Sequence, residues 1–118
     1  MKSENVIQAK SYAFALRIIK LYRFLTENKR EYILSKQVLR SGTSIGANIE
    51  EAIGGQSKAD FRAKLSIAYK EARETHYWMR LLKDSGLLSS REFESVIKDL
   101  EEILKIITKI QLTLKIRN

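Results

Sequence analysis

The chain has 118 residues and a formal net charge of +8, from 22 Lys and Arg against 14 Asp and Glu, and it contains neither cysteine nor proline. The lack of cysteine excludes disulfides and thiolate metal sites. The first ten residues are too polar for a signal peptide, and no apolar run approaches the ~18 residues that span a bilayer. These features predict one helical domain over residues 1–118, located in the cytoplasm and without a membrane partner.

Apolar residues at helical spacing predict four helices. Their expected ranges are about 3–27, 31–53, 58–85 and 90–116. The short connections force neighbouring helices to run antiparallel. The predicted fold is therefore all-α, an antiparallel up-and-down four-helix bundle, assembled into a ring-like oligomer for the reasons that follow.

The predicted helix ends have their own signals. Ser57-x-x-Asp60 and Ser89-x-x-Glu92 match the capping box, in which a serine oxygen accepts a hydrogen bond from an amide of the first turn. Gly54-Gly55 and Gly86 are expected to take the left-handed conformation that ends many helices.

The first helix has two apolar stripes. The main stripe consists of Ile7, Phe14, Ile18, Leu21 and Leu25, and the second of Tyr12, Ala15, Ile19 and Tyr22. The fourth helix is similarly wide, with Val96, Ile103, Ile106 and Ile110 beside its main face. One buried stripe per helix is enough for a monomer, so the second stripe predicts a homo-oligomer with the first-helix set at its interface. The alternative is that these aromatics lie flat on a monomer surface.

Gly42 to Gly46, in the order G-T-S-I-G, matches the G-x-S-x-G nucleophile elbow. That motif needs a preceding strand and a nearby histidine. Here the flanks read as helix, and the single histidine, His76, lies in another predicted helix. Small residues that let neighbouring backbones approach closely explain the pattern better, because each glycine otherwise costs ~1 kcal/mol of helix propensity. No catalytic residue is predicted.

The sequence does not contain the ligand set of a di-metal bundle. Glu71-x-x-Glu74 is present, but no Glu-x-x-His accompanies it. No metal or cofactor is therefore expected. The inner polar residues are predicted to form a structural network that fixes the helix register. It includes Arg40, Asn48, Glu51, Lys64, Glu71 and Glu74, with Arg40 contacting Glu71 or Glu74, and Glu51 contacting Lys64.

Basic residues occur in two concentrations. Lys10, Arg17, Lys20 and Arg23 cluster on the first helix away from its main stripe, and they are candidates for salt-sensitive binding to phosphate. The segment from Lys105 to Arg117 is a second basic run that contains no acid. No base-reading motif is present, so any nucleic-acid binding should be directed to shape or backbone. The alternative for the first cluster is a solvated charged face.

Several motifs resemble the 23S rRNA intervening-sequence protein family, also called the four-helix bundle protein family. They are Arg40-Ser41, the S-I-x-x-N-I-x-E run at 44–51, S-x-x-x-F at 57–61, Ile67-Ala68, Glu74 and Trp78. The resemblance implies an up-and-down bundle whose relatives tend to form pentameric rings. The family name comes from genes inside insertions in bacterial large-subunit rRNA genes. The family has distant relatives in diversity-generating retroelements. These relatives look like basic pentamers that assist a reverse transcriptase and contact nucleic acid.

The functional prediction is a non-enzymatic homo-oligomer, in the form of a pentamer, that binds RNA or another nucleic acid through basic surfaces. The alternative is a protein–protein interaction scaffold with no nucleic-acid role. No small-molecule substrate is expected.

Overall fold

The structure of the protein, a computed structural model, describes residues 2–116, with side chains described for residues 4–115. The ends of the predicted domain range, residues 1, 117 and 118, lie outside the described part. The four helices are α1 (Lys2–Glu27), α2 (Leu34–Ile53), α3 (Lys58–Asp84) and α4 (Ser90–Ile116). Residues 2–116 contain no strand, and they contain no helix with the length and apolar character needed to cross a membrane.

The helices form a closed circuit around one core. α1 packs against α2 and α4, and α3 packs against the same two helices, whereas no Cα atoms of the diagonal pairs α1–α3 and α2–α4 lie within 8 Å of each other over the described residues. With a long axis of 47 Å and short axes of 22 and 19 Å, the molecule has the shape of an up-and-down bundle.

The core includes the main stripe of α1 and the inward faces of the other three helices. Phe14, Ile18 and Leu25 of α1 are almost wholly buried, as are the inward residues of the other helices. Among these are Val38, Ile45, Leu65, Ala68, Ala72, Met79, Leu82, Leu100 and Ile107. Every buried side-chain nitrogen and oxygen of the described residues has a hydrogen-bond partner. The hydroxyl oxygens of Ser41 and Thr75, both fully buried, lie 2.9 Å apart and link α2 to α3.

Small residues on α2 let α1 approach closely. A Cβ atom added at Gly42 would lie 2.8 Å from Cγ1 and 2.9 Å from Cγ2 of Ile18, and one at Gly46 would lie 3.3 Å from the backbone oxygen of Ser11. Both glycines therefore serve the close packing of two helices. The G-x-S-x-G segment is helical throughout, so it has no strand-to-helix turn.

The second stripe predicted on the fourth helix does not need a partner molecule, which corrects the sequence argument. Val96, Ile103 and Ile110 are buried within the bundle itself, and Ile106 packs against the core. α4 lies in the groove between α1 and α3, so it buries a broad apolar face without any contact to a second chain.

The first connection differs from the prediction, because α2 begins at Leu34 rather than Glu31. Arg30 takes the left-handed conformation with φ of 53°, and Glu31 follows it outside the helix. The Glu31 carboxylate accepts hydrogen bonds from the amides of Leu34 and Ser35 at 2.9 and 2.8 Å. Glu31 is thus the acid that caps α2, which is stabilising next to the positive end of a helix dipole.

The other helix ends agree with the sequence except at the double glycine. Ser57 accepts from the amide of Asp60, and Ser89 and Glu92 form the reciprocal capping box. Gly86 has φ of 83°, as expected for a left-handed terminator. The prediction for Gly54-Gly55 is wrong, because Gly54 ends α2 in the right-handed region at φ −80° and Gly55 has no positive φ.

The contact between Ile18 and Gly42 predicts that Gly42→Ala changes the free energy of unfolding in opposite directions in the wild-type protein and in an Ile18→Ala variant. Gly42→Ala should lower the free energy of unfolding by about 1–2 kcal/mol, because overpacking exceeds the ~1 kcal/mol gained in helix propensity. In an Ile18→Ala background the same substitution should raise it, since the new methyl group fills vacated space. Urea unfolding of the four variants measures both effects. An equal effect in both backgrounds would contradict the proposed contact.

The capping role of Glu31 predicts a pH-dependent stability. Partial burial raises the pKa of the Glu31 carboxyl, but hydrogen bonds from the amides of Leu34, Ser35 and Ile33 outweigh it, so the pKa lies below the ordinary value of 4.5. The ionised cap stabilises the fold fully above pH ~4.5, and this contribution is lost as the pH falls through the lower folded-state pKa. Glu31→Gln should therefore cost about 1 kcal/mol near neutral pH. Urea unfolding should show the difference shrinking in strong acid; a constant difference would exclude this role.

Candidate nucleic-acid interface

Two of the four basic residues predicted on α1 are already paired with acids of α4. Lys10 forms an ion pair with Glu102, and Arg17 Nη1 lies 2.7 Å from a carboxylate oxygen of Asp99. Arg17 also donates to the backbone and side-chain oxygens of Ser95. The positive charges of Lys10 and Arg17 are therefore largely balanced within the chain itself.

The remaining two members of that cluster, Lys20 and Arg23, are exposed, and neither forms an ion pair with a described residue. The four residues thus do not form one basic surface. Lys10 and Arg17 lie on the side of α1 that faces α4, whereas Lys20 and Arg23 lie on its outer face. In the sequence the four residues read as one cluster, because the sequence does not show which helix packs on each side of α1.

A more continuous basic surface lies on the opposite side of α4, along its contact with α3. A groove there is lined by Arg73, Lys105 and Lys109 together with Tyr69, Leu104, Thr108 and Leu112. No acid lines this groove, and none of its three cations forms an ion pair within residues 4–115. Tyr69 is half-buried and Leu112 is 55% exposed, so the cations are interleaved with an aromatic and an aliphatic side chain.

The same contact line continues toward the end of α4. A second groove is lined by Arg62 and Lys115, again without an acid. Arg62 donates a hydrogen bond of 3.1 Å to the backbone oxygen of Leu114, which holds its guanidinium in place. We call the set Arg62, Arg73, Lys105, Lys109 and Lys115 the α3–α4 cationic seam. The seam has one row of cations on α3, from Arg62 to Arg73, and one on α4, from Lys105 to Lys115. At 1.5 Å per residue each row extends for about 15 Å.

The seam is bordered at its other end by the single histidine. His76 Nε2 lies 3.4 Å from a carboxylate oxygen of Glu101, one helical turn beyond Arg73 and Lys105. The side chain of His76 is 25% exposed, so it belongs to the contact between α3 and α4. The acid-free run that begins at Lys105 is visible in the sequence, but its position beside Arg73 is not. Arg117, the last residue of that run, lies outside the described residues.

The expected contact of Arg40 is present. Its guanidinium binds a carboxylate oxygen of Glu71 at 3.2 Å and also forms an ion pair with Glu74. Glu74 in turn accepts a hydrogen bond of 2.8 Å from the indole of Trp78. These four side chains connect α2 with α3 on the outer side of the core.

The remaining predicted members of the polar network lie apart from that cluster. Lys64 and Glu51 form a separate ion pair at 2.8 Å. Asn48 does not join either group, because its amide donates at 2.8 Å to the backbone oxygen of Ser44 in its own helix. The network predicted from sequence is therefore two separate ionic contacts and one local hydrogen bond.

The residues predicted at an oligomer interface differ in their exposure. Tyr12 is 66% exposed, whereas Ala15, Ile19 and Tyr22 are half-buried. Tyr12 and Ala15 both line a groove between α1 and α2. Between residues 9 and 16 the exposed apolar residues of α1 follow one another at i, i+3, i+4 and i+7. They are Ala9, Tyr12, Ala13 and Leu16, which we call the α1 outer stripe.

The arrangements considered for catalysis and metal binding can be compared with the structure directly. Ser44 Oγ donates at 2.6 Å to the backbone oxygen of Arg40, and His76 is engaged with Glu101 on another face. Within the part of the chain that the structure describes, no three histidine or acidic side chains gather as metal ligands.

Comparison with known proteins places the chain in a family. The family model described as 23S rRNA-intervening sequence protein matches residues 3–109. A crystal structure from Bacteroides thetaiotaomicron VPI-5482, of a protein with unknown function from the S23 ribosomal protein family, is 50% identical with a TM-score of 0.91. The match covers 92% of this chain and 96% of that one. No curated protein matches. The chain belongs to the 23S rRNA-intervening sequence protein family.

Proposed function

We propose that this protein is a non-catalytic, self-associating bundle of the cytoplasm that binds RNA or another nucleic acid through the phosphate backbone. The α3–α4 cationic seam is the principal contact. The observation behind this assignment is the absence of any acid among the described residues that line its two grooves, in a chain whose net charge is +8. Lysine and arginine that lack a carboxylate partner are available to displace counterions from phosphate.

The composition of the seam favours backbone contacts over base reading. Three of its members, Lys105, Lys109 and Lys115, are lysines, which bind phosphate as point charges. Tyr69 is the aromatic side chain of the groove, and it is only half-exposed, so it can stack on few bases. Affinity should accordingly depend strongly on salt and little on sequence.

Self-association is proposed on the basis of the α1 outer stripe. Its spacing is that of a helix face, and its two large members, Tyr12 and Leu16, are 66% and 50% exposed. An apolar stripe of this kind is typical of a contact between helices of two molecules. A ring of five is the form that the family resemblance implies.

Assembly would multiply a modest surface. A seam of five cations binds weakly by itself, but several seams on one ring contact a single polyanion at high effective concentration. The names of the family and of the Bacteroides relative refer to ribosomal RNA and to a ribosomal protein, which supports RNA as the polyanion.

The RNA proposal predicts that equal changes of charge at two sites have unequal effects. Arg73→Gln with Lys105→Gln should weaken binding to a labelled structured RNA and reduce the salt slope of log K by about one for each phosphate that the variant no longer neutralises. Lys20→Gln with Arg23→Gln removes the same charge from α1 and serves as the matched control. Fluorescence anisotropy at several salt concentrations measures both.

Each outcome has a defined meaning for the site. Equal losses of affinity in the two pairs would indicate only a response to net charge, and a larger loss in the α1 pair would return the site to the cluster predicted from sequence. Weak binding that neither pair alters would favour the protein–protein scaffold.

The self-association proposal predicts a change in mass. Size-exclusion chromatography with light scattering should give a molar mass that is a multiple of the 13.7 kDa chain mass. Tyr12→Lys with Leu16→Lys should dissociate it to a folded monomer, because charges would replace the centre of the stripe. Ile67→Lys, at an exposed apolar position on α3, is the control. A wild-type monomer at high concentration would contradict the proposal.

A further inference from the structure

A cavity lies at the end of the bundle where α2 ends, α3 begins and α4 finishes. It has a volume of about 470 Å³. Its walls include Ile53, Phe61, Ile110 and Leu114, and the turn from Gly55 to Lys58 forms part of its edge. This volume lies within the 300–1,000 Å³ range of pockets that bind small molecules.

The charges around the cavity are mostly positive. Lys58, Arg62 and Lys109 line it, and Glu4 is the acid among the lining residues. Arg62 is half-buried, and its hydrogen bond of 3.1 Å goes to the backbone oxygen of Leu114 rather than to a carboxylate. A half-buried guanidinium bound to a neutral carbonyl keeps donors available for an anion.

Arg62 is also placed where an anion could be bound together with an apolar group. It lies one residue after Phe61, on the first turns of α3, and both side chains line the same cavity. The contact with Leu114 fixes the guanidinium at the mouth, so little conformational entropy remains to be lost on binding. Apolar walls beside an oriented cation favour a ligand that has both an anionic group and an apolar group.

We propose that this end cavity binds a small amphipathic anion, in which a carboxylate or phosphate head is attached to an apolar body. Arg62 and Lys58 bind the head, and the walls formed by Phe61, Ile110 and Leu114 cover the body. An acyl carboxylate and a nucleotide both have this chemistry. The sequence predicts no small-molecule substrate, and the proposed site binds its ligand without converting it.

The end cavity is distinct from the groove on which the nucleic-acid test depends. Arg73 and Lys105 do not line it, although Lys109 borders both. Arg62 belongs to the α3–α4 cationic seam as well, so Arg62→Gln alone does not separate the two sites. Thr113→Trp alters a cavity residue outside the seam, and Arg73→Gln with Lys105→Gln alters the seam outside the cavity, so these variants test the two sites independently.

The probe for the test is 8-anilinonaphthalene-1-sulfonate, an anion on an aromatic body whose fluorescence rises in apolar surroundings. The wild-type protein should bind it saturably, with one site per chain. Arg62→Gln should weaken binding about tenfold or more, as expected for loss of a charge-assisted hydrogen bond. Thr113→Trp should abolish binding by filling the cavity, because Thr113 is a lining residue. Lys98→Gln, an exposed position on α4 outside the cavity, should bind as the wild type does.

Competition identifies the kind of ligand. Displacement of the probe by decanoate supports an acyl carboxylate, and displacement by adenosine monophosphate supports a nucleotide. Circular dichroism confirms that the variants remain helical. The proposal fails if binding does not saturate, if Thr113→Trp binds normally, if Arg62→Gln and Lys98→Gln behave alike, or if neither compound competes.

Discussion

The close approach of α1 to α2 is the constraint on which the rest of the bundle depends. Gly42 has no room for a Cβ atom beside Ile18, and Gly46 has little beside Ser11. On its other side α2 contacts α3 through the buried hydroxyls of Ser41 and Thr75. Two helices, α1 and α3, thus pack on α2, and α4 packs against both of them on the other side of the core. Along the contact between α3 and α4 lie two grooves that are lined by long cationic side chains.

This arrangement divides the charges of α4 between two sides. Asp99 and Glu102 face α1 and balance Arg17 and Lys10. Lys105 faces α3, with Arg73 across the groove and no acid lining it among the described residues. Along α4, the contact with α1 therefore pairs bases with acids, whereas the contact with α3 is basic. Net charge alone does not distinguish these, because the difference depends on which helix each residue faces.

Much of the fold could be predicted from the sequence, because helical periodicity, capping boxes and short connections are local signals. Ser57, Ser89 and Gly86 act as expected. Glu31 was misassigned because an acid before an apolar run reads equally well as the first residue of a helix or as its cap. Gly54-Gly55 was misassigned because glycine permits a left-handed conformation without requiring it.

The candidate site was harder to predict, because it depends on contacts between distant parts of the chain. Lys10 and Arg17 belong with Lys20 and Arg23 by sequence position, but their pairing with acids 92 and 82 positions later is a tertiary fact. Val96, Ile103 and Ile110 read as a second stripe because the sequence does not show that α4 packs against both α1 and α3. The acid-free run starting at Lys105 was visible, and what the sequence could not supply was its neighbour Arg73.

Lysine acetylation footprinting, with and without RNA, tests most directly whether RNA binds at the α3–α4 cationic seam. It compares the reactivity of individual lysine side chains in the wild-type protein. Protection of Lys105 and Lys109, with Lys20 and Lys98 reacting equally in both states, is the predicted result. Protection confined to Lys20, or uniform across all four lysines, would contradict a binding site between the third and fourth helices.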